Sequence, residues 1–80
     1  MTDPDVLLPL LRETAARAKL EVLREGGGMP TGVCVLKGKV IAVIPHGTPA
    51  AEECLHLVDA LKRVDLSEVF VSPAVRDALE

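Results

Sequence analysis

The sequence predicts a small mixed α+β (α/β) domain, in which a single layer of three strands packs with two main helices and a short C-terminal helix. The first observation is three stretches rich in β-branched residues, of which two flank Gly38 and one covers 68–72. The second is that helical patterns precede, separate and follow these stretches. The expected order is α-β-β-α-β-α, and 80 residues form a single domain over 1–80.

The helix starts share one local pattern. Each of three dipeptides places a capping side chain before a proline, which suits the first helical position: Asp3-Pro4, Thr48-Pro49 and Ser72-Pro73. We expect the first helix to run to about Glu25, bent or restarted at Pro9, and to end at the glycine run 26–28. Its main apolar stripe consists of Leu7, Leu11, Ala15, Ala18 and Val22.

The expected strands cover 32–37 and 39–45, joined at Gly38 into an antiparallel hairpin. A second helix over 49–64 crosses over to a third strand at 68–72, and 73–79 forms the last helix. The strand sequences VCVL, VIAVI and VFV do not alternate apolar with polar residues, so we expect strands buried on both faces. The crossover should be right-handed if the second and third strands are parallel.

Composition argues against several functions. The net charge is −3, the nine basic residues are scattered, and Phe70 is the single aromatic residue, so we expect no nucleic-acid binding. The N-terminus is acidic and the run 6–11 is short and broken by Pro9, which predicts no signal peptide, no membrane span and a cytoplasmic protein. Cys34 and Cys54 are then expected to be free thiols. The absence of Asn and Gln resembles thermophile composition.

Two features favour a homodimer. A three-stranded sheet has two free edges, which tend to pair with other chains. Several apolar side chains also lie away from the main stripe of the first helix, and together with the single aromatic residue they form the candidate interface: Val6, Leu10, Leu20, Leu23 and Phe70. A different protein is the alternative partner.

The stretch PHGTPAAEECLH, over 45–56, holds most of the residues capable of site chemistry. At about 100° per residue, Cys54 and His56 point to opposite sides of the second helix. They cannot bind one metal, which needs three or four convergent ligands. We therefore expect no metal site, no cofactor and no catalytic residue, and an enzyme is not predicted.

The junction before the second helix is a candidate ligand site. His46, Gly47 and Thr48 join a strand to a helix N-terminus, where free N–H groups can hold an anion, and Glu52 lies on the first turn. Against this interpretation, Glu52 and Glu53 already complement the helix dipole and would repel an anion. The alternative is a plain turn with a helix cap.

The element order and the pattern Pro30-x-Gly32-Val33-x-Val35 resemble the front half of the cytidine deaminase-like fold. In that family His-Ala-Glu opens the second helix, and Glu52 would match the proton-shuttling glutamate. Ala50 stands where the zinc-binding histidine would be, so the resemblance implies the fold without its zinc chemistry.

The start of the last helix departs from that family in the same way. Pro73 matches the proline of Pro-Cys-x-x-Cys, but Ala74 and either Arg76 or Asp77 replace the cysteines. The order α-β-β-α-β also resembles roadblock-type dimerisation domains, which are interaction modules. Both families usually have more strands than we expect here.

These observations predict a non-enzymatic, self-associating interaction or regulatory module. The alternative is a small-ligand or anion-binding protein, or a degenerate deaminase-like remnant, that uses the junction over 46–52.

Overall fold

Three helices and one mixed three-stranded sheet form the protein, in the order α-β-β-β-α-α, as seen in a computed structural model that describes residues 3–25 and 28–80. The predicted mixed α+β class is confirmed. The elements are α1 (Pro4–Arg17), β1 (Glu21–Leu23), β2 (Gly32–Leu36), β3 (Lys39–Val43), α2 (Ala50–Leu61) and α3 (Pro73–Leu79).

The first helix ends at Arg17, and the prediction that it extends to Glu25 is wrong. Ala18 closes α1, and Lys19 adopts the left-handed conformation at φ 57°. The N–H of Leu20 then donates to the carbonyl of Ala15 at 2.9 Å, which is the hydrogen bond of a Schellman motif. A lysine instead of a glycine occupies the left-handed position, so the sequence carried no obvious stop signal. In the glycine run where we expected the first helix to end, Gly26 and Gly27 lie outside the described residues.

The third strand is β1, and the prediction of a strand at 68–72 is wrong. The segment after α2 forms turns, in which Ser67 N–H donates to Asp65 Oδ1 at 2.9 Å and Val69 N–H donates to the Leu66 carbonyl at 3.1 Å. β1 occupies the parallel side of β3 instead, so the predicted crossover through α2 is absent from the sheet.

β3 is the central strand, in the order β1-β3-β2. It pairs in parallel with β1, and the antiparallel pairing with β2 confirms the predicted hairpin. The hairpin turn is formed by Lys37 at φ 52° and Gly38 at φ 79°. Two consecutive positive φ values are typical of the type I′ turn, whose twist matches that of the flanking strands.

The helices cover one face of the sheet. Five strand-region side chains lie in the main core or pack against it: Val22, Val33, Val40, Ala42 and Ile44. Ile41 and Val43 are also buried but lie outside this core, so the alternation of the strand places them on the other face. β3 is therefore buried on both faces as predicted. β2 is not, because Val35 and Leu36 are 55% and 57% exposed.

Packing between α1, α2 and α3 completes the core. Leu11, Leu57, Leu61 and Val75 are fully buried there. Of the predicted α1 stripe, Leu7, Leu11 and Ala15 lie in this core and Ala18 packs against it from the C-cap, but Val22 belongs to β1. α1 continues through Pro9. No helix within residues 3–25 and 28–80 is long and apolar enough to cross a membrane.

Only one of the three predicted helix caps forms as expected. The Asp3 carboxylate accepts the N–H of Asp5 at 2.9 Å. At α2 the N-cap residue is Pro49, and no side chain caps the helix. The Thr48 hydroxyl, which was expected to cap it, donates to the Pro45 carbonyl at 2.7 Å. At α3 the Ser72 hydroxyl is buried and has no hydrogen-bond partner among the described residues.

Candidate functional site

A polar cavity of about 260 Å³ lies beside the junction between β3 and α2. Six residues line it, and we call it the guanidinium pocket: Arg12, Arg24, His46, Gly47, Thr48 and Glu53. They come from α1, from the residue after β1, from the turn before α2 and from the first turns of α2. The fold therefore assembles the pocket from segments that are distant in sequence.

The carboxylate of Glu53 organises this pocket. It accepts hydrogen bonds from Arg12 Nε at 2.8 Å, from Arg12 Nη2 at 3.0 Å and from Arg24 Nη2 at 2.9 Å. The Glu53 side chain is only 3% exposed, whereas those of Arg12 and Arg24 are 53% and 29% exposed. Three N–H groups thus donate to a buried carboxylate, while the side chains of both arginines stay partly exposed.

Strand pairing places Arg24 next to the turn. The N–H of Ile44 donates to the Leu23 carbonyl at 2.9 Å, and the N–H of His46 donates to the Arg24 carbonyl at 3.3 Å. Arg24 Nη1 also donates to the Ile44 carbonyl at 3.3 Å. These contacts extend the β1–β3 pairing to the pocket and fix the Arg24 side chain over the end of β3.

The two arginines change the acidity of Glu53. Hydrogen bonding to Arg12, and then to Arg24, lowers the pKa of Glu53 from 4.5 to about 2, although burial alone would raise it. The carboxylate therefore stays ionised at neutral pH. The same hydrogen bond to Glu53 raises the pKa of Arg12.

Three of the four predicted ligand-site residues lie in the guanidinium pocket. His46, Gly47 and Thr48 line it, but Glu52 is exposed and does not. The carboxylate that reaches the pocket is the next residue, Glu53. Sequence reasoning missed Arg12, Arg24 and the central role of Glu53. One signal was available, because Glu53 lies four residues before Leu57 and therefore on the apolar face of α2.

The expected separation of Cys54 and His56 is seen. Cys54 is buried, with its Sγ 3.6 Å from the Pro4 carbonyl, and burial raises the pKa of its thiol. His56 is half-buried on another part of α2. The described part of the chain contains no group of three or more His, Cys, Asp or Glu residues able to hold a metal. Cys34 and Cys54 are both free thiols.

The predicted interface residues do not share one environment. Val6 and Phe70 are exposed, and Arg17 lies over the Phe70 ring with its guanidinium carbon 5.5 Å from the ring centroid. Leu10 and Leu20 are half-buried against the chain's own core, and Leu23 is half-buried in β1. Self-association through these five residues stays a prediction.

A second candidate surface is the outer edge of β2, the side that does not face β3. In a hairpin with a two-residue turn, the pair Leu36 and Lys39 is hydrogen-bonded, and the bonded pairs then alternate. Val33 and Val35 therefore point their N–H and C=O groups away from β3. Consistent with this alternation, the N–H of Ile44 on the continuation of β3 points to β1. Within residues 3–25 and 28–80, no strand pairs with the outer edge of β2.

Comparisons with known protein families, with curated proteins and with solved structures found no match to this chain. The resemblances to the cytidine deaminase-like fold and to roadblock-type domains therefore stay predictions. The guanidinium pocket and the outer edge of β2 are the features that bear on function, because a fold class alone does not define an activity.

Proposed function

We propose that this chain is a non-enzymatic, self-associating interaction module whose copies pair through the outer edge of β2. The observation that supports this proposal is the pair of unpaired backbone sites at Val33 and Val35 on that edge. Natural proteins usually protect a free edge with charge, proline or a bulge. Over Gly32–Leu36, β2 has neither charge nor proline, and its pairing with β3 is regular.

The edge is complementary to a second copy of itself. A two-fold dimer brings the same patch of both copies together, so the N–H and C=O groups of the β2 edge must be complementary to those of the same edge in the second copy. If the axis passes through Cys34 with antiparallel strands, Val33 of one copy lies opposite Val35 of the other. Both residues then exchange N–H and C=O bonds across the axis. This register pairs all five residues of β2 and joins two three-stranded sheets into one of six strands.

Side-chain exposure supports the same arrangement. Val35 and Leu36 are the exposed large apolar residues of the sheet, and both lie on β2. A strand paired alongside would partly cover them and remove apolar area from water. Hydrogen bonds from the backbone and burial of apolar side chains would then stabilise the same dimer.

Sedimentation velocity over a range of protein concentrations tests this proposal, with Val35→Pro as the disruptive variant. The N–H of Val35 points outward, so proline at this position removes a donor to the second copy without removing a bond to β3. Val35→Thr is the matched control, because it keeps the N–H group and the branched shape. We expect a dimer for the wild type and for Val35→Thr, and a monomer for Val35→Pro.

A monomer at all concentrations for the wild type would overturn the proposal. A dimer that persists in Val35→Pro would show that self-association uses another surface. Circular dichroism of each variant confirms that the fold is retained before the sedimentation results are compared.

A further inference from the structure

The guanidinium pocket has unused hydrogen-bond donors. Each guanidinium has five N–H groups. Arg12 uses Nε and Nη2 for Glu53, and Arg24 uses Nη2 for Glu53 and Nη1 for the Ile44 carbonyl. The remaining N–H groups, including those of Arg12 Nη1, have no protein acceptor among the described residues. Because both side chains are partly exposed, these donors can reach a ligand in the cavity.

The pocket also has an excess of positive charge. Two guanidinium groups face one carboxylate, so the cluster of Arg12, Arg24 and Glu53 keeps one net positive charge on a chain whose total is −3. Glu53 is nearly inaccessible, so an entering ligand meets guanidinium groups rather than the carboxylate. Charge pairing with Glu53 also holds both guanidinium groups in place before a ligand arrives, which reduces the entropy lost on binding.

The turn before α2 adds to this environment. The N-terminus of α2 has no side-chain cap, since the Thr48 hydroxyl is turned to the Pro45 carbonyl. The positive end of the α2 dipole lies at this N-terminus, next to the pocket-lining residues Gly47 and Thr48. Gly47, at φ 87°, lines the pocket without a side chain that would fill it.

We propose that the guanidinium pocket binds the carboxylate group of a small organic acid. A planar carboxylate matches the paired N–H groups of a guanidinium. Its single negative charge balances the single excess positive charge, whereas a doubly charged phosphate would leave a net negative charge beside the buried Glu53. A volume of about 260 Å³ fits a small acid and is below the usual size of a cofactor site. This site lies on different elements from the outer edge of β2 and does not depend on dimer formation.

The test is an NMR titration with sodium acetate, with sodium chloride used to keep the ionic strength constant. Saturable shifts are expected at the backbone amides of Gly47 and Thr48 and at the Nε–H groups of Arg12 and Arg24. Sodium phosphate in a parallel titration is expected to bind more weakly. No saturable shift with acetate, or tighter binding of phosphate than of acetate, would overturn the proposal.

Two arginines on α1 provide a matched pair of variants. Arg12→Gln removes the excess charge of the pocket and is expected to weaken acetate binding by about tenfold or more. Arg17→Gln removes the same charge from an exposed pair with Glu13 and should leave binding unchanged. Arg12→Lys, which keeps the charge and loses the planar fork, should bind with intermediate affinity. Equal weakening by Arg17→Gln and Arg12→Gln would show a general charge effect and contradict the site.

Discussion

The carboxylate of Glu53 on α2 accepts two hydrogen bonds from the guanidinium of Arg12 on α1, at 2.8 and 3.0 Å, across 41 positions of sequence. Arg24, next to β1, donates to the same carboxylate at 2.9 Å. One buried side chain therefore connects α1, α2 and the end of β1. The contact stabilises the fold, and it also holds the two guanidinium groups of the pocket.

The stability of the protein should depend on the ionisation of Glu53. Its pKa is about 2 in the folded protein and 4.5, the ordinary value, in the unfolded chain, so the ionised form favours folding. This contribution is complete above pH 4.5 and is lost as the pH falls toward 2, and it amounts to about 3 kcal/mol at most. Chemical denaturation at a series of pH values measures it.

Glu53→Gln should lower the free energy of unfolding at neutral pH by about 2–3 kcal/mol and flatten its dependence on pH in the acidic range. Glu52→Gln is the matched control, because Glu52 is the exposed neighbour on the same turn. Equal effects of the two substitutions would contradict the assigned role of Glu53.

Lys19→Gly should stabilise the protein by about 1 kcal/mol, because Lys19 adopts a left-handed conformation that costs energy for every residue except glycine. Lys62 closes α2 with φ −67°, which is ordinary helical backbone. Lys62→Gly should therefore destabilise the protein by about 0.5–1 kcal/mol. Thermal unfolding of both variants checks the prediction, and a loss of stability in Lys19→Gly would contradict the Schellman end of α1.

Cys34 should form a disulfide between two copies under mild oxidation. In the proposed register the two Cys34 residues form a non-hydrogen-bonded pair with Cα atoms about 4.5 Å apart, within the roughly 4.4–6.8 Å range of disulfides. Cys54 is buried and its thiol pKa is raised, so it should stay reduced. Non-reducing electrophoresis should show covalent dimer for the wild type and for Cys54→Ser, and none for Cys34→Ser. Failure of the wild type to cross-link would argue against the axis at Cys34.

Substitutions can distinguish the dimer interface predicted from the sequence from the outer edge of β2. Val6 and Phe70 are exposed and lie outside β2. Val6→Ser and Phe70→Ala should therefore leave the sedimentation behaviour of the dimer unchanged and alter stability by less than about 0.5 kcal/mol. A shift to monomer in either variant would show that the dimer forms through the surface predicted from the sequence instead.

Local patterns in the sequence predicted much of the fold. The turn at Gly38, the apolar stripe of α1 and the buried strand β3 could all be read from spacing. The end of α1 could not, because Lys19 occupies a position where glycine is the usual signal. Without that end, the sequence pattern keeps residues 21–23 in the first helix and favours the apolar run at 68–72 as the third strand.

The candidate site was predicted in part for a similar reason. His46, Gly47 and Thr48 are consecutive and lie at a strand–helix junction, which the sequence made visible. Arg12 and Arg24 reach the same pocket only because α1 ends early and β1 pairs with β3. Their contribution depends on long-range contacts that local patterns do not encode.

Amide hydrogen exchange along β2, measured by NMR at low and high protein concentration, distinguishes a paired outer edge of β2 from a free one. In every state the amides of Cys34 and Leu36 bond to β3 and should exchange slowly. The proposed dimer predicts that the amides of Val33 and Val35 also become protected as the concentration rises. Rapid exchange of Val33 and Val35 at all concentrations, beside protected Cys34 and Leu36, would contradict pairing through the outer edge of β2.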